Sequence, residues 1–69
     1  MDTTGYKKGQ RIQMLHMKDD PDPILPGTVG TITSVCLFNE DETILGVNWD
    51  NGRTLSVIVP IDWVRILRI

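Results

Sequence analysis

The sequence predicts an all-β domain, a small five-stranded SH3-like barrel. Three observations predict it. Short runs of β-branched and apolar residues recur five times along the chain, several alternating at period two. Clusters of Gly, Pro, Asn and Asp punctuate them. No stretch is patterned for an amphipathic helix of useful size. A chain of 69 residues has room for one hydrophobic core. That implies a single domain over residues 9–69, behind a flexible lead at residues 1–8.

The elements follow in order. GQRIQMLHM (9–17) reads as the first strand, with Ile12 and Met14 on one face and Arg11 and Gln13 on the other. KDDPDPILPG (18–27) holds three aspartates and three prolines and reads as a long loop. TVGTITSVCLF (28–38) is the second strand, and Gly30 inside it predicts a bend or a close backbone approach. NEDE (39–42) is an acidic turn. TILGVNW (43–49) is the third strand, placing Leu45, Val47 and Trp49 on one face. Asn51-Gly52 is the signature of a two-residue type I′ hairpin, which would set Asp50 opposite Arg53. Arg53 to Val59 is the fourth strand, with Leu55, Val57 and Val59 inward. Pro60 ends it, PIDW (60–63) has the length of a single helical turn, and VRILRI (64–69) is the last strand. Closing such a sheet limits exposed edges and requires the first and last strands to lie side by side.

Composition excludes several classes. Cys36 is the only cysteine, so no intrachain disulfide forms, and it is expected to be a small buried hydrophobe. With one Cys and one His there is no structural zinc site, and no metal or cofactor is expected. A net charge of −2 is a poor footprint for a protein that tracks a nucleic-acid backbone. No apolar run approaches the ~18 residues of a membrane span, and MDTTGYKKGQ has no hydrophobic stretch to act as a signal peptide.

Six residues are candidates for ligand binding. Arg53 offers a planar fork of donors beside the indole of Trp49, suited to a phosphate or carboxylate. Asp50 stands on the same turn, where it serves equally as hairpin chemistry. Arg11 and Arg65 sit in the first and last strands. If those are neighbours, Lys7, Lys8, Arg11, Arg65 and Arg68 form a basic patch on an acidic protein. His16 adjoins the acidic loop but has no nucleophile or paired carboxylate at a readable spacing. No catalytic residue is assigned. The DDPDP loop lacks calcium-loop spacing and reads as solvated. Alternation cannot bury both Ile66 and Leu67, so an outward apolar face on the last strand predicts a homo-oligomer.

LPGTVGTI (25–32) followed by VNWDNGRTLSVI (47–58) resembles a family of short bacterial and phage domains of unknown function. Its members carry a methionine, an acidic proline-containing loop, a Pro-Gly-Thr-x-Gly-Thr-Val stretch and a Trp-Asp-Asn-Gly-Arg-Ser-Leu stretch. Here these are Met17, Asp19, Asp20 and Pro21, then Pro26 to Ile32, then Trp49 to Leu55, with Thr54 where Ser is common. NEDET exceeds the family's usual turn, so the second hairpin is expected to protrude. The resemblance implies a phage or mobile-element setting, and the lone cysteine fits the reducing cytoplasm of a bacterial or phage-infected cell. Gly27-x-x-Gly30-x-Ile32 is also similar, more weakly, to the KOW motif. The sequence therefore points to a non-enzymatic binding module for a partner protein or a small anionic ligand. One version is an anti-defence protein that sequesters a host nucleotide signal. The alternatives are a nucleic-acid-binding module, which is less favoured, and a structural oligomer without ligand.

Overall fold

The computed structural model describes residues 5–18 and 21–67. Five strands form one antiparallel sheet: β1 (Arg11–His16), β2 (Val29–Leu37), β3 (Thr43–Trp49), β4 (Val57–Val59) and β5 (Trp63–Leu67). Their order is β4-β3-β2-β1-β5. The first and last strands are neighbours, as the sequence implies, with Ile12 opposite Ile66 and Gln13 opposite Arg65. Among the described residues no ladder joins β4 to β5, so the sheet is unclosed and the expected ring of hydrogen bonds is incomplete. β4 has three paired residues, and all of them pair with β3.

Period-two alternation sorts the side chains between two faces. One face supplies the core: Ile12 and Met14 from β1, Ile32 from β2, Leu45, Val47 and Trp49 from β3, and Val57 and Val59 from β4. Met17 and Ile24 plug it from the loop, and Val64 and Ile66 of β5 pack against it. Gly30 is a place where β2 and β3 leave no room for a side chain. A Cβ there would lie 2.7 Å from both the Trp49 ring and Val47. The expected close approach is thus an indole seated on a glycine. Register shifts between Ile32 and Ser34 and between Met14 and His16 mark bulges that increase local twist.

Three expectations are corrected. Residues 60–62 form a turn and not a helical turn. Only three residues separate β4 from β5, and a side chain closes the gap. The Asp62 carboxylate, 7% exposed, accepts hydrogen bonds from the amides of Ile58 (3.1 Å) and Lys18 (2.9 Å). The fourth strand is shorter than expected, because Arg53–Ser56 lies outside the ladder. There the Trp49 indole N–H takes the Leu55 carbonyl at 2.9 Å. Cys36 is exposed, not buried. Beyond the β2 bulge the β2–β3 hairpin outgrows the core, so Leu37 and Phe38 also face solvent.

The final strand ends, among the described residues, at Leu67, so Arg68 and Ile69 lie outside them, as does the start of the N-terminal lead. No helix among the described residues is long and apolar enough to cross a membrane.

Two substitutions test this packing. Gly30→Ala should overpack the Trp49 contact and cost about 1–3 kcal/mol of unfolding free energy. Asp62→Ala should strand two amides of the β4–β5 corner and cost roughly 1.5–3 kcal/mol. Urea titrations followed by tryptophan fluorescence measure both. A change within about 0.5 kcal/mol, the range of an ordinary surface substitution, would contradict the packing described.

Candidate functional site

The Asp50–Arg53 turn differs from its expected form. The Gly52 amide donates to the Trp49 carbonyl (2.9 Å), and the Trp49 amide donates to the Arg53 carbonyl (2.8 Å). The loop is therefore three residues, Asp50 to Gly52, with Gly52 taking the positive φ of 92°. That is the pattern of a type I turn closed by a glycine bulge. A two-residue type I′ turn would need Asp50 paired with Arg53. Instead the Asp50 amide stays bonded to the Val29 carbonyl of β2 at 2.9 Å.

The side chains separate accordingly. Asp50 points to the outer sheet face and meets Arg11 of β1 in a two-pronged ion pair at 2.9 and 2.5 Å. Arg11 also donates to the Thr31 hydroxyl at 2.9 Å. Arg53 turns to the long loop, where it donates to the carbonyls of Asp22 (2.8 Å) and Pro23 (3.3 Å) and lies 3.4 Å from the Asp22 carboxylate. Trp49, 3% exposed, is core and offers no face for a stacked base. The anion corner expected at Arg53 and Trp49 is thus not assembled, because both guanidinium groups already hold an aspartate.

The other candidates are dispersed. Arg65 donates to the Gln13 side chain at 2.9 Å, across the β1–β5 ladder. His16 stands edge-on to Trp63, with ring centroids 6.0 Å apart. Lys7 and Lys8 border a hollow of about 620 Å³ with Thr33, Ser34 and Val35. Arg11 and Arg65 share the β1–β5 ladder among the described residues. Asp19, Asp20 and Arg68 lie outside them.

Sequence reasoning missed an apolar concavity. A groove of about 530 Å³ runs between the β2–β3 turn and the β4–β5 corner. Tyr6, Leu15, Leu37 and Trp63 give it an apolar floor, and Glu40 and Asp41 stand on one rim. Leu15, Leu37 and Trp63 are 45, 71 and 61% exposed. The rim is held by local bonds. The Asp41 amide donates to the Asn39 side chain, which donates to Glu42. The available signal was a tryptophan at an edge strand and apolar residues flanking an acidic turn.

The outer-face ion pair has a pH signature. The Arg11 hydrogen bond holds the Asp50 carboxyl below the usual aspartate range, and Asp50 raises Arg11. A carboxylate lowered by folding stabilises the fold above its unfolded value, and that contribution fades as pH falls through the folded value. Stabilities of the parent chain and Asp50→Asn should therefore differ at neutral pH and converge as pH drops below about 3.9. Denaturant titrations across pH measure this, and a gap that persists at acid pH would exclude the pair as its source.

No curated protein and no solved structure matches this chain. A family model does match, over residues 3–67, and it spans both motif stretches and every described strand. The chain belongs to the family described as a domain of unknown function, DUF4314.

Proposed function

We propose that this chain is a non-enzymatic binding module, built on an SH3-like, partly open barrel, that docks a partner protein. The strand order supports the barrel reading. β1 pairs on one side with β2 and on the other with β5, and two bulges let the sheet wrap its core. The observation that carries the docking reading is the groove. A small domain has every reason to bury a tryptophan, yet Trp63 and Leu37 stand exposed in one concavity. Contiguous exposed apolar surface rimmed by polar residues marks interaction sites, and aromatic residues are enriched at interface cores. The motif likeness supports a phage or mobile-element setting.

A small anionic ligand is a second reading. It is favoured by Lys7 and Lys8 beside the hydroxyls of Thr33 and Ser34 in the neighbouring hollow. Calorimetry with cyclic and linear nucleotides separates the two, since heat of binding lost in Lys7→Ala/Lys8→Ala would favour the anion.

For the docking reading, Trp63→Ser and Leu37→Ser should keep an unfolding free energy within about 0.5 kcal/mol of the parent. Both should lose the proteins that the parent chain retains from its host extract. Retention unchanged in both variants would remove the groove from consideration.

A further inference from the structure

We propose that the surface centred on Tyr6 and Leu37 joins two copies of this chain across a two-fold axis. The proposal rests on the docking reading of the groove and names its occupant. The two largest hollows are contiguous, because Tyr6 and Leu37 line both. On one side stand Glu40 and Asp41. On the other stand Lys7 and Lys8. The surface is thus an apolar centre with an acidic wing and a basic wing.

Most of the other described charges are held within the fold, Lys18 excepted. Arg11 and Asp50 are paired, Arg53 is held at Asp22 and Pro23, Arg65 is bonded to Gln13, and Asp62 caps two amides. The side chains of Lys7, Lys8, Glu40 and Asp41 make no such bond among the described residues. A two-fold interface is isologous, so a patch at i meets a patch at j and j meets i. An axis through the shared Tyr6–Leu37 centre lays each copy's acidic wing on the other's lysines, while Leu37 and Trp63 become the apolar core. A foreign cationic segment would satisfy only one wing. Exposed charge pairs add little affinity each but set register and exclude mismatched partners. Self-association also offsets the small core of a chain this short.

The test is a charge swap read by sedimentation velocity on the full chain, at tens of micromolar in low salt. The parent should sediment as a dimer. Lys7→Glu/Lys8→Glu and Glu40→Lys/Asp41→Lys should each weaken the dimer by about tenfold or more. Mixed in equal amounts they should associate again, because opposite wings then meet at both contacts. Circular dichroism confirms that the exposed substitutions leave the fold intact, and Leu37→Ser should weaken every combination without altering any charge. A monomeric parent overturns the proposal, as does a mixture no more associated than its components. If the parent is monomeric while Trp63→Ser still loses a retained protein, self-association alone fails and the groove keeps a foreign partner. If Trp63→Ser changes nothing either, the docking reading fails with it.

Discussion

The pairing of β1 with β5 is the constraint on which the molecule depends. It joins Arg11 to Leu67 and Met14 to Val64, so segments at the two ends of the sequence share one ladder. Closing so long a loop carries an entropic cost that grows slowly with length, and local hydrogen bonds do not offset it. The ladder holds because Ile12 and Met14 present one apolar face to a core that Val64 and Ile66 also reach. Without it, Tyr6, Leu15 and Trp63 would not meet, and the groove would not exist. β2 and β3 form the longer hairpin, but they build only one wall.

The charges divide into two populations. Arg11, Arg53 and Asp62 act inside the fold, tying the outer face, the long loop and the β4–β5 corner. Neighbouring positions explain much of the Trp49–Leu55 stretch. In Trp49 to Leu55, the tryptophan fills the space above Gly30, the aspartate holds Arg11, the glycine closes the turn and the arginine fastens the loop. In Leu25 to Thr28, the Thr28 amide donates to the Leu25 carbonyl at 3.1 Å, the bond of a tight turn, while the Gly27 amide anchors it to Met14. Both stretches are accounted for by architecture. The exposed population flanks the apolar groove.

Alternation and turn chemistry made the strands readable. β3 came out at the expected boundaries, and the inward faces of β1, β3 and β4 were legible because a two-residue period leaves a half-buried strand only one way to face. Cys36 was misplaced for the same reason in reverse. An apolar strand says nothing about where the core ends, and a bulge between Ile32 and Ser34 resets the alternation. The candidate site was less legible. Arg53 and Asp50 were read as a pair because they are close in sequence, yet each found a stronger partner some thirty to forty positions away.

By itself the sequence determined the all-β class, the number of strands, a close approach at Gly30 and the neighbouring of the first and last strands. All of these follow from side-chain period, turn residues and the need to bury one apolar face. Only the tertiary structure decided which cation meets which carboxylate, that the sheet stays open, and that Tyr6, Leu37 and Trp63 share a groove. Those outcomes depend on distances between segments remote along the chain, and such distances are set by how the sheet curls, not by any local pattern of residues.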